Sequence, residues 1–300
     1  MLRKSILTGS IIGVAFVIFV VMLDRVGDIR YSLCLARALR AGVAPYSGVC
    51  PIRESASHDI LLAPIILLPF SYLPPLWGCA LWSGISFGLL AGVLVYRRGE
   101  WGLLALLSFP AIQCAWGVQW YPLLTVVAFI PALMPLALGK PHIGLALGLW
   151  RFSPGRALAC AVAVGLSLLI WPTWIHDWAQ YAALYVTEDE GVMMALTPVG
   201  LILTAAAALL WKHDRARLVL YFLCVPIRST YNLLPLFVLP ETKHEMIWLV
   251  ASSWVGLLIV VFNDSWYAAM ILGSLAPALL MVALRARAEQ RTARAGAVGG

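Results

Sequence analysis

Charged side chains are scarce in this sequence. Asp, Glu, Lys and Arg make up only 12% of the 300 residues, about half the share that is usual in soluble domains, whereas 62% are hydrophobic and the mean hydropathy is +0.90. So few polar residues exclude a soluble enzyme. The sequence also lacks a phosphate-cradling glycine loop, a zinc motif and a nucleophile elbow, and its six cysteines show no metal-ligand spacing.

The abundant apolar residues are arranged in many separate runs. A bilayer crossing takes about 20 mainly apolar residues, so the chain has enough for about nine to eleven transmembrane helices. We predict an all-α, polytopic membrane protein with one transmembrane domain over residues 1–285 and a disordered cytoplasmic tail over residues 286–300. Prolines interrupt several runs, and a broken helix at membrane depth needs surrounding protein or a polar cavity. We therefore expect a polar cavity in the membrane domain.

The basic residues predict the orientation. Residues 5–23 form a long apolar run after Arg3 and Lys4 without a small-residue cleavage site, which indicates a retained signal-anchor helix with a cytoplasmic N-terminus in the plasma membrane. The net charge of +7 lies mostly in short loops, which favours the positive-inside rule over nucleic acid binding. Either residues 60–72 fail to cross the membrane, or Arg97 and Arg98 are an exception to that rule; the sequence leaves both open.

The longest polar stretch, residues 24–59, follows the first helix and is expected on the extracytoplasmic side. Within it, residues 29–41 have helical periodicity, with Arg30, Arg37 and Arg40 on the side opposite the apolar residues. We predict an amphipathic helix that lies on the membrane surface and ends at the glycine and proline that follow. Its arginines either bind lipid phosphate or hold the helix to lipid head groups.

Two cysteines, Cys34 and Cys50, lie in this polar stretch. A disulfide between them is possible if the stretch faces an oxidising compartment. The other four cysteines fall inside apolar runs, where a thiol packs as a small hydrophobic group.

Asp24 and Asp28 are candidate catalytic carboxylates because they come directly after the first helix. In a cavity, such a carboxylate can take the proton from an attacking hydroxyl group. The alternative is a solvated loop carboxylate that pairs with Arg25 or Arg30.

Arg228 and Lys140 are candidate phosphate-binding cations. Arg228 lies in the short gap between two apolar runs, and charges at such depth usually face a cavity. Lys140 lies between short apolar runs and either contacts phosphate or marks the cytoplasmic side.

Two adjacent pairs, His58 with Asp59 and His176 with Asp177, are expected on the same face. They could ligate a divalent cation or hold phosphate. The interpretation we favour is that they are ordinary polar residues of the membrane interface. The sequence leaves the need for a divalent cation open.

Several short motifs occur in an order that resembles a known family. The first, Asp28-x-x-Tyr31 followed by Gly42-x-x-Pro45-Tyr46, resembles the signature after the first helix of glycosyltransferase family 87, polytopic enzymes of the GT-C superfamily. Further matches, in the same order, are Ala80-Leu81-Trp82, Gln119, Lys140-Pro141, the stretch 172–178 and Pro226-x-x-Ser229-x-Tyr231-x-Leu233. Together the matches cover about residues 28–239.

The resemblance implies a GT-C-like fold and the transfer of a mannose-like sugar from a polyprenyl-phosphate donor to a glycan or lipid acceptor at the outer face. Asp28 would be the base, with Asp24 as the alternative. Arg228, Lys140 and Arg30 would balance the charge of the lipid phosphate. The residues expected to line the substrate are Tyr31, Tyr46, His58, Asp59, Gln119 and Tyr231.

Two other functions fit the sequence. Broken helices and cations within the membrane are typical of a transporter for small molecules or lipids, although no convincing internal repeat is present. A catalytically degenerate family member that acts as a membrane scaffold is the third possibility.

Overall fold

The computed structural model describes residues 1–48, 50, 60–185 and 192–298, and it is mostly helical. The described α-helices are α1 (Leu2–Met22), α2 (Ile29–Arg40), α3 (Leu62–Leu67), α4 (Pro75–Arg98), α5 (Phe109–Gly117), α6 (Tyr121–Phe129), α7 (Met134–Ala137), α8 (Pro141–Trp150), α9 (Pro154–Ile170), α10 (Trp174–Tyr185), α11 (Pro198–Leu209), α12 (Asp214–Cys224), α13 (Lys243–Asn263), α14 (Trp266–Met270) and α15 (Ala276–Val298). Two short strands, β1 (Val192–Met193) and β2 (Pro226–Ile227), pair antiparallel. Short 3₁₀ segments connect several helices, and a π-helical turn joins α14 to α15.

Fewer helices can span a membrane than the sequence predicts. Within the described residues, four are long and apolar enough, namely α1, α4, α13 and the continuous run Trp266–Ala293. Helices α9 and α10, bent by 91°, add a fifth if they form one span. The expected nine to eleven crossings are therefore not found, because prolines divide the remaining apolar sequence into helices too short to cross.

The outer surface is apolar, as expected of a protein embedded in lipid. Helices α1, α9 and α13 expose large side chains such as Ile11, Leu166 and Phe262. In contrast, all nine residues of α6 are buried. The core is formed around α6 and the 3₁₀ segment Thr230–Val238, which pack against each other.

Helices α1 and α4 pack antiparallel through glycines. Gly9 faces Gly88, and Gly13 faces Gly84, so the two backbones lie very close. At one end, Lys4 forms an ion pair with Glu100, just beyond α4. We call this end of the molecule the Lys4 end and the opposite end, where α1 stops and α4 begins, the Asp28 end.

Replacement of Gly88 by Val is expected to destabilise this helix pair. A methyl group on Gly88 would lie 2.8 Å from the Gly9 carbonyl oxygen, so the backbones must separate, at a cost of about 1–3 kcal/mol. Gly148→Val in α8 is the matched control, because nothing lies within 4 Å of the same position there. Thermal unfolding in detergent should show a lower midpoint for Gly88→Val only; equal midpoints would contradict the tight packing.

Helix α2 is held against the Asp28 end of α4. Arg37 donates to the carbonyl oxygens of Ser71 (3.4 Å) and Leu73 (2.7 Å), and Arg40 donates to that of Ser71 (2.7 Å). These two guanidinium groups therefore stabilise the end of the 3₁₀ segment Leu68–Tyr72, a role that the sequence did not predict. A helix is present over Ile29–Arg40, one residue shorter than the predicted stretch, and its position on the membrane surface stays a prediction.

The direction of α4 determines the end of the molecule at which Arg97 and Arg98 lie. The helical stretch Leu62–Tyr72 is short and packs on α2, and α4 then runs from the Asp28 end to the Lys4 end. Arg97 and Arg98 consequently share the Lys4 end with the start of α1.

A disulfide joins Cys34 of α2 to Cys50. The sequence left this pairing open. Around it, Leu35, Tyr46 and Trp174 form a small apolar cluster, so the bridge attaches the chain after α2 to the rest of the Asp28 end.

The C-terminal region differs from the prediction. Helix α15 continues to Val298, whereas we expected a disordered tail from residue 286. Alanine and arginine, which favour helices, are common in this stretch, and they allow the helix to extend beyond its apolar part.

Candidate functional site

A tight turn at the end of α1 positions Asp28. Asp24 and Gly27 both have a φ of 48°, which brings the chain sharply from α1 into α2. The Asp28 N–H donates to the carbonyl oxygen of Gly117 (2.8 Å). A methyl group on Gly27 would lie 2.2 Å from that same oxygen, so only glycine fits. The turn is thereby fixed against the end of α5.

The Asp28 side chain is directed away from its own helix. Asp28 precedes α2, a position where aspartate commonly accepts a hydrogen bond from the first turn, yet it makes none to the described first turn. Its Oδ2 accepts a hydrogen bond from Nε2 of Gln119 instead. The half-buried carboxylate therefore takes its orientation from a residue 91 positions away.

Gln119 is rigidly placed for this contact. The residue is only 5% exposed, and it follows Val118, whose φ is 44°. The backbone N–H of Gln119 donates to the Cys114 carbonyl oxygen (3.0 Å), and its carbonyl oxygen accepts from Nε1 of Trp82 (3.3 Å). These bonds fix the backbone on both sides of the amide that contacts Asp28.

An open groove of about 500 Å³ contains Asp28 and Gln119 together with Arg228 and Tyr231. Arg228 is half-buried and directly follows β2, which β1 holds in register. Ser229 and Asn232 form a reciprocal capping box at the start of the Thr230–Val238 segment. The other described residues of the lining are Phe109, Ile112, Gln113, Trp116, Gly117, Ser229 and Trp266.

A buried polar cluster supports one wall of the groove. The Tyr231 ring lies 5.2 Å from that of Tyr121, measured between centroids. The Tyr121 hydroxyl accepts a hydrogen bond from Nδ2 of Asn232, and His142 Nε2 lies 3.5 Å from both groups. This cluster fixes Tyr231, one of the aromatic residues that line the groove.

The rim of the groove is apolar and aromatic. Trp116 is 52% exposed, Trp266 40% and Ile112 42%. The guanidinium of Arg25 lies 3.7 Å from the centroid of the Trp116 ring, a cation–π contact. Tryptophan with exposed apolar neighbours is typical of the region where protein meets the membrane surface.

Four of the predicted site residues thus come together in one groove, and the described lining does not include five others. Asp24 and Arg30 are exposed, and Arg30 donates to the hydroxyl of its neighbour Tyr31 (2.8 Å). Tyr46 is 7% exposed and packs near the disulfide, and Lys140 is buried before α8. His58 and Asp59 lie outside the described residues.

The second histidine–aspartate pair makes local contacts. His176 Nε2 lies 3.0 Å from Gln180 Nε2, and Asp177 accepts from Thr173 Oγ1 (2.7 Å) and Trp171 Nε1 (3.2 Å). Among the residues that the structure describes, no group of three or more His, Cys, Asp or Glu side chains could hold a metal ion.

Sequence reasoning missed Gln113, Asn232 and Tyr121. The hydroxyl of Thr230 donates to the Gln113 amide oxygen, which ties the groove wall to α5. A signal for Gln113 and Asn232 was available, because amide side chains within apolar runs are costly and usually face a cavity or each other.

Comparison with known proteins finds no matching family model, no matching curated sequence and no matching solved structure. The resemblance to glycosyltransferase family 87 therefore depends on the sequence motifs alone and stays a prediction.

Proposed function

We propose that this protein is a membrane glycosyltransferase that moves a sugar from a polyprenyl-phosphate donor to an acceptor hydroxyl at the extracytoplasmic face. The observation that carries the proposal is the shared groove, in which the Asp28 carboxylate and the Arg228 guanidinium occur together. A base and a fixed cation are the two groups that this transfer needs.

The reaction assigns one role to each group. The acceptor hydroxyl attacks the anomeric carbon of the sugar while Asp28 accepts its proton. The bond between that carbon and the phosphate oxygen breaks, and the lipid phosphate leaves with the electron pair. Arg228 balances the charge that develops on this phosphate, and Gln119 holds the carboxylate in place. The proton on Asp28 is then released to water.

The distribution of charge supports an extracytoplasmic groove. Lys4, Arg98 and Arg285 lie at the Lys4 end, and from the positive-inside rule we propose that this end is cytoplasmic. The opposite end carries the groove and the disulfide Cys34–Cys50, and disulfides persist in oxidising compartments.

The surroundings of the groove suit a lipid-linked donor. Ile112, Trp116 and Trp266 give its rim an exposed apolar border, along which a polyprenyl chain can remain in the bilayer while its phosphate enters. A transporter, the second function that fits the sequence, is expected to hold its substrate near the membrane midplane. The position of the groove at one end of the molecule favours transfer.

The proposal is tested with purified protein in liposomes that contain radiolabelled polyprenyl-phosphate sugars, with mannose first. We expect label to move from the lipid to an added glycan or lipid acceptor. A donor that crosses the bilayer with its sugar still attached would indicate a transporter. If the label stays on the lipid with every sugar and acceptor tried, and the lipid does not cross the bilayer, transfer and transport are both excluded. The scaffold function then remains.

A further inference from the structure

Four arginines line a second cavity, at the Lys4 end of the molecule. Arg97 and Arg98 end α4, Arg151 follows α8, and Arg215 lies in the first turn of α12. The cavity has a volume of about 410 Å³. The other described residues of its lining are Ala128, Phe129, Pro131, Trp150 and Val238, and none of them is acidic.

Backbone contacts hold two of these guanidinium groups in place. Arg97 donates to the carbonyl oxygen of Phe129 (3.3 Å), and Arg98 donates to that of Val238 (3.0 Å). Each guanidinium has five N–H donors, so these bonds use only part of its capacity. In the described part of the chain, the buried Nε atoms of Arg98 and Arg151 have no hydrogen-bond partner.

The ion pairs around the cavity leave positive charge in excess. Three carboxylates, of Asp214, Glu241 and Glu245, form the described pairs with Arg151, Arg215, Arg217 and Arg285. Arg97 and Arg98 add two further cations. Burial, together with the charges of Arg285 and Arg98, lowers the pKa of Arg215 to about 10. A bound anion would relieve both the repulsion and the shortage of acceptors.

We propose that this arginine cavity binds the phosphate group of a ligand, with donors from α4, α8 and α12 converging on its oxygens. Guanidinium groups match phosphate in geometry as well as charge, and basic pockets on the cytoplasmic side of membrane proteins bind phosphorylated head groups. The Arg151 guanidinium lies 3.7 Å from the centroid of the Trp150 ring, a cation–π contact that helps to hold this guanidinium at the cavity wall.

The proposal is separate from the proposed transferase activity. The arginine cavity lies at the end of the molecule opposite to Asp28, and the two sites have no described lining residue in common. Orientation by the positive-inside rule requires only charge near the cytoplasmic surface. It does not require three distant segments to direct arginines into one cavity.

The test compares two double variants of the full-length protein in detergent. Arg97→Gln/Arg151→Gln removes two guanidinium groups from the cavity. Arg287→Gln/Arg291→Gln removes the same charge from exposed positions on α15. Each protein is titrated with short-chain phosphatidic acid, with diacylglycerol of equal chain length, which has no phosphate, and with inorganic pyrophosphate. The midpoint of thermal unfolding is measured.

We expect phosphatidic acid to raise the unfolding midpoint of the wild type and of the α15 variant equally. The cavity variant should bind it about 100-fold more weakly, at about tenfold for each guanidinium. Stabilisation by pyrophosphate as well would identify a general phosphate site; stabilisation by phosphatidic acid alone would identify a lipid site. If the double variant does not fold, Arg97→Gln is compared with Arg287→Gln, with a tenfold difference expected.

Three results would overturn the proposal. The first is the absence of any shift with both anionic probes in the wild type. The second is equal weakening in both double variants, which would indicate attraction by overall charge alone. The third is equal stabilisation by diacylglycerol, which would show that the acyl chains and not the phosphate are recognised.

Discussion

Replacement of Asp28 by Asn is expected to lower the rate of sugar transfer by about 100- to 10,000-fold, the usual contribution of a general base. Asparagine has nearly the same shape, and its amide oxygen can still accept the hydrogen bond from Gln119. The groove should therefore keep its geometry and lose only the group that takes the proton. The rate is measured in liposomes, and the thermal unfolding midpoint is expected to stay close to that of the wild type.

Asp24→Asn provides a matched control for this experiment. Asp24 lies four residues earlier, is exposed and is not among the described residues of the groove. Its φ of 48° is one that asparagine adopts readily, so the backbone should tolerate the change. Near-normal transfer is expected. Full activity in Asp28→Asn, or an equal loss in Asp24→Asn, would remove Asp28 from its role as base.

Local features were the most predictable from the sequence. The bounds of α2 follow from its helical periodicity and from Gly42, whose φ of 69° ends the helix. The first helix and the start of α4 after Pro74 follow from apolar length and proline position in the same way. These features depend on residues close in sequence, which is why a single sequence contains them.

The number of crossings was less predictable, because hydropathy does not separate a helix in lipid from a helix buried in protein. Helix α6 is strongly apolar, and its nine residues are all buried inside the protein. The stretch Leu62–Tyr72 has a similar composition and packs on α2. A signal for one close pair was nevertheless present, since Gly9 and Gly13, like Gly84 and Gly88, are four residues apart.

The candidate site was also predictable only in part: its residues could be identified from the sequence, but not the directions of their side chains. The motifs assigned Asp28, Gln119, Arg228 and Tyr231 to one site, and these four line one groove. Tyr46 was also part of a motif, but its side chain packs near the disulfide. A motif shows which residues belong together, but it does not show where their side chains point. That direction depends on contacts between distant segments. The bond from Gln119 to Asp28 is such a contact.

Replacement of Arg228 by Gln is expected to reduce kcat/KM for transfer by about 100- to 1,000-fold, the usual effect of removing one group that stabilises developing negative charge. The lipid phosphate gains charge as it leaves the sugar, and the loss should therefore appear mainly in kcat. Arg228 is held between β2 and the capping box of Ser229 and Asn232. The strand pairing is made by backbone groups, and the capping box is made by Ser229 and Asn232. Neither uses the Arg228 side chain, so the variant should fold normally.

Two variants make this prediction specific to the guanidinium of Arg228. Arg228→Lys keeps the charge and loses the two-pronged donor geometry, so intermediate activity is expected. Arg30→Gln removes one positive charge from an exposed position that also lies near the Asp28 end, and its activity should remain within a few-fold of normal. An equal loss in Arg30→Gln would show that general attraction of the anionic donor matters more than contact with the phosphate. An unchanged kcat in Arg228→Gln would exclude Arg228 from stabilising the leaving group.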